Sequence, residues 1–225
     1  MPKRNTPLAT GEIYHIVNRG VNHQPIFNDK RDYNRAIELL FFYQFVKPPL
    51  RFSFYDRLPV KDKEKVLKEL GKNNQRHVTF LSFCLMPNHF HFLLRQENDN
   101  GVSRFLANFQ NSFARYFNIR HKRIGHLFQG QFKSIRIENE NQLLHTSRYI
   151  HLNPYTSYVV KTVNDLKKYP WSSLLQYIEG DVNGFCEVKT ILSNFHSKKK
   201  YFNFMLDQKD YQRKLDQIKH LILEK

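Results

Sequence analysis

The spacing of apolar residues changes from segment to segment along this chain, and the order of the changes limits the folds it can form. Residues 13–19 alternate as a strand whose two faces are both at least partly covered. A helical pattern then begins near Asp29 and Asp32, which place acidic groups in a first turn. This helix is predicted to end before Pro48-Pro49.

Two apolar runs of strand length follow, at 77–85 and 89–94. The break between them holds Pro87 and Asn88, so two adjacent strands are predicted. The next segment, 102–119, predicts a strongly amphipathic helix. Its apolar residues recur at spacings of three and four, as Phe105, Leu106, Phe109, Phe113, Tyr116 and Phe117.

Two further segments predict one more strand region and one more helix. Residues 125–137 alternate and contain two glycines, which predicts a strand or a bent hairpin. Residues 141–152 have helical spacing and are predicted to stop at Asn153-Pro154. Strand, helix, strand, strand, helix, strand is the split βαβ order. We therefore expect an α+β, ferredoxin-like fold with an antiparallel sheet, helices on one face and one extra helix.

The length of 225 residues suits one domain with additions. We expect that domain at residues 1–173, with a lysine-rich insertion or outer helix at about 47–75. Residues 174–225 are expected to form a helical C-terminal extension, with a last helix at 207–223.

The charge balance favours polyanionic partners. Thirty-six Lys and Arg residues against 20 Asp and Glu residues give a net charge of +16, which directs attention to nucleic acid. No apolar run is long enough to span a membrane, and no secretory signal follows the basic N-terminus. Two cysteines, Cys84 and Cys186, indicate a reducing compartment. We expect a cytoplasmic, nucleoid-associated protein without membrane partners.

The first candidate for chemistry is His89-Phe90-His91. Residues two apart on a strand share a face, so both imidazoles project together while Phe90 enters the core. Two such imidazoles, with a third ligand from elsewhere, can hold a divalent metal ion. A His-x-His pair on a strand is nevertheless more often a polar or half-buried pair, and that interpretation stays open here.

The second candidate is Tyr149. It lies off the inward stripe of its predicted helix and is flanked at i−4 and i+4 by His145 and Asn153. An activated phenol can attack a phosphodiester and form a covalent link. The alternative is an ordinary amphipathic helix residue with its hydroxyl in water.

The third candidate is electrostatic. The segment 101–136 contains seven basic residues and no acidic one, and aromatic residues are interspersed among them. This combination suits a groove that neutralises phosphates and stacks exposed bases, although a charge run is usually a solvated face. The candidate DNA-binding residues are Arg104, Arg115, Arg120, Lys122, Arg123, Lys133 and Arg136.

Three blocks of this sequence resemble the single-tyrosine HUH transposases, of the insertion-sequence and REP-associated tyrosine transposase type. The blocks are Met86-Pro87-Asn88-His89-Phe90-His91, then Gly125-His126-Leu127-Phe128-Gln129-Gly130 leading to Lys133-Ser134, and Arg148-Tyr149-Ile150-His151-Leu152-Asn153-Pro154. A later segment, Pro170-Trp171-Ser172-Ser173, is also similar. The resemblance covers about residues 11–173.

The resemblance implies a role for each matching residue. His89 and His91 would bind Mg²⁺ or Mn²⁺, and Asn153 would complete the metal site, where some relatives have Gln. Tyr149 would be the nucleophile that cuts and rejoins single-stranded DNA with hairpin ends through a 5′-phosphotyrosine intermediate. Whether the protein acts as a monomer or a homodimer, and whether its active site forms within one chain, stay open.

Three other functions compete with this one. A relaxase or replication initiator shares the histidine pair and the tyrosine. A domesticated single-stranded DNA-binding protein would keep the groove without cleavage. A zinc module built on Cys84, His89 and His91 is disfavoured, because no Cys-x-x-Cys or fourth ligand has normal spacing.

Overall fold

The computed structural model describes residues 7–72, 75–180 and 184–207. Its strands are β1 (Ile13–Arg19), β2 (Val78–Met86), β3 (His89–Gln96) and β4 (Lys133–Arg136). Its α-helices are α1 (Lys30–Tyr43), α2 (Phe52–Tyr55), α3 (Val60–Lys72), α4 (Gly101–Arg120), α5 (Glu140–Thr156), α6 (Val163–Lys167), α7 (Leu174–Ile178), α8 (Lys189–Leu192) and α9 (Lys198–Leu206). No helix in the described ranges is long and apolar enough to cross a membrane.

The four strands form one antiparallel sheet in the order β2-β3-β1-β4. With α1 between β1 and β2 and α4 between β3 and β4, this is the predicted ferredoxin-like arrangement. The predicted α+β fold class is therefore confirmed. The long central pair β1 and β3 is in register from Ile13 opposite Arg95 to Arg19 opposite His89, and this register positions the residues discussed below.

Helices cover both faces of the sheet, whereas the sequence analysis placed them on one face. On one side α1 and α4 pack against the sheet through rings that include Phe80, Phe92, Phe105 and Phe109. On the other side α5 and the C-terminal helices bury Leu81 and other residues of β2. The physical reason is visible in β2 itself, since every one of its residues is buried and its alternate side chains point to opposite faces.

Helix α5 does not stop at Asn153-Pro154 as predicted but continues to Thr156. A proline inside a helix lacks the N–H donor and crowds the carbonyl four residues earlier, but the last turn of α5 is held by other donors. The backbone N–H of Ser157 and the hydroxyl of Thr156 both donate to the carbonyl of Asn153. Asn153 therefore lies within the helix that carries Tyr149.

The segment 125–137 forms a shorter strand than predicted. Only Lys133–Arg136 pairs continuously with β1, and Phe128 makes a single bridge to Gly20. Gly125 and Gly130 both have positive φ, at 95° and 59°. Such backbone favours glycine and suits a loop rather than a ladder of paired residues.

The insertion and the C-terminal region both pack against the core. Within the insertion, α2 and α3 bury Phe52, Tyr55 and Leu70. Residues 171–173 line the outer edge of β2, where Leu85 N donates to Trp171 O. This contact covers part of an edge strand. The helix predicted at 207–223 lies outside the described residues from 208 onward.

Candidate active site

Strand β3 and helix α5 bring the predicted histidines, tyrosine and asparagine together. The ring centroid of Tyr149 lies 5.4 Å from that of His91, and the rings of His89 and His91 are 4.9 Å apart. Nδ2 of Asn153 lies 3.2 Å from Nε2 of His91. All four residues are contributed by one chain.

The hydrogen bonds of His89 fix its tautomer. Nδ2 of Asn88 donates to the carbonyl of His23, which turns Oδ1 of Asn88 toward His89 at 2.6 Å from Nδ1. A carbonyl oxygen only accepts, so Nδ1 of His89 carries the proton. The lone pair is then on Nε2, where a ligand could replace the hydrogen bond with Asn153.

His91 is held between two partners in the same way. Its Nδ1 lies 3.0 Å from Nε2 of His15, and its Nε2 accepts from the amide of Asn153. With Nε2 as the acceptor, the proton of His91 is on Nδ1 and is donated to His15. Both histidines of the pair thus have the same tautomer, with the Nε2 lone pair directed into the site.

Burial keeps these imidazoles neutral near pH 7. Desolvation lowers the pKa of His89 to about 4, partly opposed by a hydrogen bond with Asn153. It lowers the pKa of His91 well below 6.5 and that of His15 to about 4. The neutral imidazole is the form that binds a metal ion, because the charged form has no lone pair to donate.

His15 is the site residue that the sequence analysis missed. It lies on β1 with the ring stacked on His91 at 5.2 Å and edge-on to Tyr149 at 6.0 Å. A single histidine on an alternating strand gives no local signal of function. Only the pairing of β1 with β3, which sets His15 opposite Leu93 and next to His91, brings it into the site.

A buried chain of hydrogen bonds fixes helix α5 against the sheet and the C-terminal region. The hydroxyl of Tyr201, on α9, lies 2.6 Å from both Ser147 Oγ and His151 Nδ1. Nε2 of His151 lies 2.8 Å from Ser173 Oγ, which donates to the carbonyl of Phe83. One direction satisfies every member, with each group donating to the next from Ser147 to the sheet. This series of hydrogen bonds holds α5, the helix on which Tyr149 lies.

We expect Tyr201→Phe to destabilise the fold. The change leaves the ring and its packing in place but removes the hydroxyl that links Ser147 to His151. Two buried polar groups then lose a partner, at a cost of about 1–3 kcal/mol. Urea unfolding followed by circular dichroism measures this loss of free energy.

Tyr177→Phe is the matched control for that measurement. The Tyr177 hydroxyl is also buried but donates a single bond, to the carbonyl of Leu81 at 2.6 Å. Its removal is expected to cost about 1 kcal/mol. If Tyr201→Phe proves no more harmful than Tyr177→Phe, the chain of bonds does not hold α5.

Two of the predicted DNA-binding residues are paired with acidic side chains of the same chain. Arg120, at the end of α4, makes ion pairs with Asp29 and Asp32 at the start of α1. Arg136 pairs with Glu12, with 2.7 Å between Nη2 and Oε1. Arg120 and Arg136 are thus already paired within the chain, although the segment around them contains no acid.

Other members of this set bond to neighbouring polar groups or remain exposed. Arg123 donates to the side chain of Asn118 and the carbonyl of His126. Arg104, Arg115 and Lys122 are exposed. A role of these residues in DNA binding stays a prediction.

Lys133 lies on the same face of the sheet as the histidine pair. It is opposite Val17 on β1, and Val17 is opposite His91 on β3, so the three form one row across the sheet. Arg19, which the sequence analysis did not single out, is opposite His89 in the same way. The charge of Arg19 contributes to the lowered pKa values of His89 and His91. Two cations thus flank the candidate site.

The residues present fit a divalent metal ion. Nε2 of His91 faces the amide of Asn153, His89 is also hydrogen-bonded to Asn153, and each histidine has its Nδ1 proton held by a partner, as is usual for metal-bound imidazoles. The amide presents Nδ2 to His91 and Oδ1 to Ser157 at 3.4 Å, so a half-turn of this group would direct its oxygen toward the histidines. Within the described ranges, no group of three or more His, Cys, Asp or Glu side chains is placed to hold a metal. The amide of Asn153 is the polar group that lies against His91 and could act as a third donor.

The same geometry gives no support to the zinc alternative. Cys84 is opposite His91 in the sheet, but its thiol is fully buried and lies 3.7 Å from the sulfur of Met86. Burial also raises the pKa of this thiol well above its usual range. The thiolate that zinc requires is thereby disfavoured.

Comparison with known proteins agrees with the geometry. Residues 53–153 match the family described as IS200-like transposases, a segment that includes both histidines, Tyr149 and Asn153. A solved structure of a REP-associated tyrosine transposase bound to a REP hairpin is similar to this chain. The TM-score is 0.54 at 14% identity, over 84% of this chain and 90% of that one. No curated protein is significantly similar in sequence. The resemblance and the fold predicted from sequence are both confirmed.

Proposed function

We propose that this chain, whose residues 53–153 match the family of IS200-like transposases, cuts and rejoins single-stranded DNA through a covalent bond to Tyr149. The family match and the structural likeness support a transposase function. The chemistry, the metal ion and the hairpin-bearing substrate are our proposal. The proposed substrate is the hairpin-bearing end of a mobile element or of a repeat.

The observation that carries the proposal is the position of Tyr149. Its ring meets the His91 ring edge-on at 5.4 Å, on the face of the sheet that carries both histidines. A phenol beside two neutral imidazoles and two cations suits attack on a bound phosphodiester. We therefore propose that the active site forms within one chain, so that a homodimer is compatible but not required.

The reaction is a transesterification that conserves bond energy. The phenolic oxygen of Tyr149 bonds to phosphorus as the bond from phosphorus to the 3′ oxygen breaks. The phenolic proton is released, and the departing 3′ oxygen takes up a proton. The products are a 5′-phosphotyrosine and a free 3′-hydroxyl, which can attack in reverse to rejoin a strand. No nucleotide triphosphate is needed.

His89, His91 and the amide oxygen of Asn153 would hold Mg²⁺ or Mn²⁺. When bound, such an ion polarises the phosphate and offsets its developing negative charge. The protein's own residues orient the two imidazoles and the phosphate. Asn88 and His15 fix the two imidazoles, while Arg19 and Lys133 lie on the same face to bind phosphate oxygens on either side.

Incubation with DNA tests the proposal directly. The full chain is mixed with Mn²⁺ and a panel of single strands that carry hairpins, and the products are separated under denaturing conditions. We expect a band of slower mobility that contains both protein and DNA, together with a free 3′-hydroxyl fragment. The absence of a linked band across the panel, with hairpin binding intact, would contradict the proposed chemistry.

His15→Phe tests the support given to His91. Phenylalanine keeps a ring against His91 but cannot accept the Nδ1 proton, so the imidazole loses its orientation. We expect the Mn²⁺ concentration for half-maximal adduct formation to rise about 10–100-fold, the usual effect of losing a partner of a metal ligand.

His15→Gln is the conservative counterpart of that variant. Its side-chain oxygen accepts a hydrogen bond, so part of the metal affinity should return. Equal Mn²⁺ requirements for His15→Phe and the unchanged chain would contradict the proposed role of His15 in orienting His91.

A further inference from the structure

One exposed aromatic side chain lies at the end of the helix that carries Tyr149. Tyr158 is 52% exposed, whereas every other tyrosine in the described ranges is buried or half-buried. Of the Phe and Trp residues in those ranges, only Phe54 of α2 is exposed, at 55%. The function proposed above gives Tyr158 no role.

The backbone of Tyr158 is unusual for a bulky side chain. The residue directly follows Ser157, the C-cap of α5, and has a φ of 56°. Helices commonly end with a left-handed residue at this position, and it is usually glycine, because a Cβ atom is strained there. Of the non-glycine residues with positive φ in the described part of the chain, Tyr158 has the largest side chain. Glycine would therefore be the more stable choice here.

Hydrogen bonds on both sides hold Tyr158 in this conformation. Its backbone N–H donates to the carbonyl of Tyr155 at 3.2 Å, and that of Val160 donates to the carbonyl of Pro154 at 2.9 Å. Val160 also packs against the apolar clusters around α5. The ring is thus presented to solvent from a fixed turn. Strained residues that their surroundings maintain in this way cluster at catalytic and ligand-binding sites.

The turn adjoins the candidate active site. Tyr149, Asn153 and Ser157 follow one another at intervals of four, so they lie along one face of the helix. The hydroxyl of Ser157 is 3.4 Å from Oδ1 of Asn153, and Tyr158 is the next residue. At about 1.5 Å per residue, Tyr158 lies roughly 14 Å from Tyr149 along the helix axis. A short stretch of single-stranded DNA spans this distance.

The charge around Tyr158 suits a phosphate backbone. Residues 141–164 contain no Asp or Glu. Lys161 is exposed, and it makes no ion pair with an acid among the residues that the structure describes. Surfaces that bind single-stranded nucleic acid combine such positive charge with aromatic rings on which bases stack.

We propose that Tyr158 stacks on an unpaired nucleobase of the strand that flanks the scissile phosphate, and that it thereby positions this strand for attack by Tyr149. Any base can serve, since every base has a flat face. The proposal rests on the proposed function, because it names a positioning residue for the same reaction. It gives a reason for a strained tyrosine where glycine would be more stable.

Tyr158→Gly tests this role, with Tyr158→Phe as the conservative variant. Affinity for a DNA hairpin with a single-stranded arm is measured by fluorescence anisotropy in the presence of a chelator, so that binding is observed without cleavage. Loss of one stacked base lowers affinity by about 5–150-fold, and we expect a fall of this size for Tyr158→Gly. Tyr158→Phe keeps the ring and should bind as the unchanged chain does. Normal binding by Tyr158→Gly, or an equal loss in Tyr158→Phe, would overturn the proposal.

Urea unfolding separates stacking from a structural role. Glycine relieves the strain at this position, so Tyr158→Gly should unfold at a urea concentration no lower than that of the unchanged chain, although it binds DNA more weakly. A lower midpoint together with weaker binding would assign the ring to the fold and contradict the proposal.

Phe54→Ala is the matched control, since Phe54 is equally exposed but lies in the insertion. We expect its affinity for the same DNA to be unchanged. A loss equal to that of Tyr158→Gly would show that exposed rings contribute wherever they lie, which also contradicts the proposal.

Abasic sites in the DNA locate the stacked base. One abasic position in the single-stranded arm should weaken binding by the unchanged chain and have no effect on Tyr158→Gly, because that contact is already lost in the variant. A sensitive position that affects both proteins equally, or that lies only in the hairpin, would overturn the proposal.

The stacking and the cleavage chemistry can fail separately. The abasic scan requires no adduct, so a position that depends on Tyr158 in the absence of any linked band would defeat the chemistry and leave the stacking in place. A normal adduct with no such position would do the opposite.

Discussion

Tyr149→Phe is expected to abolish the covalent bond between this protein and DNA while leaving DNA binding nearly unchanged. The change removes one oxygen atom from a half-buried ring whose packing against His91 and His15 is otherwise kept. Removal of a nucleophile lowers the rate by roughly 10⁴-fold or more, so the linked band should fall below detection. Denaturing electrophoresis measures the adduct, and anisotropy with the same DNA measures binding.

Tyr155→Phe is the control on the same helix. Tyr155 is two turns further along α5 and is 7% exposed, within the cluster that contains Leu152 and Leu166. It is placed for packing, so its variant should form the adduct at the normal rate. An adduct that persists in Tyr149→Phe and disappears in Tyr155→Phe would move the nucleophile to the end of the helix. An adduct that persists in both would place it outside α5.

The elements with strong local patterns could be predicted from the sequence. The apolar spacing of α4 and the alternation of β1 fix their type, and their order fixes the ferredoxin-like topology. The second covered face was not predicted, because a buried strand such as β2 is apolar throughout and does not reveal what covers each side. The end of α5 was misplaced because hydrogen bonds from Thr156 and Ser157 outweigh the effect of Pro154.

The residues of the candidate site likewise fall into two groups, those predictable from local motifs and those that only the tertiary fold reveals. His89, His91, Tyr149 and Asn153 lie in short local motifs, and the spacing within each motif predicts which side chains share a face. His15 and Arg19 reach the site only through the register of β1 with β3. The ion pairs of Arg120 with Asp29 and Asp32 join residues about 90 positions apart. A charge count over a single segment cannot reveal such compensation.

His89→Ala is expected to remove both cleavage and its dependence on divalent metal. The variant loses one of two convergent Nε2 lone pairs, and the remaining histidine and amide bind a hard cation weakly. Loss of the charge stabilisation supplied by the ion corresponds to several kcal/mol, a fall in the adduct rate of roughly 10³-fold. The rate is measured by denaturing electrophoresis across a Mn²⁺ titration.

His126→Ala is the matched control, since His126 is exposed in the loop before β4. We expect its adduct rate and Mn²⁺ requirement to be unchanged. Addition of a chelator should lower the adduct rates of the unchanged chain and of the control to the rate of His89→Ala. The fold should survive in the variant, because a half-buried neutral imidazole is replaced without leaving an unpaired charge. Metal-independent cutting by the unchanged chain would show that His89 and His91 serve packing alone, and Tyr149 would then need another source of activation.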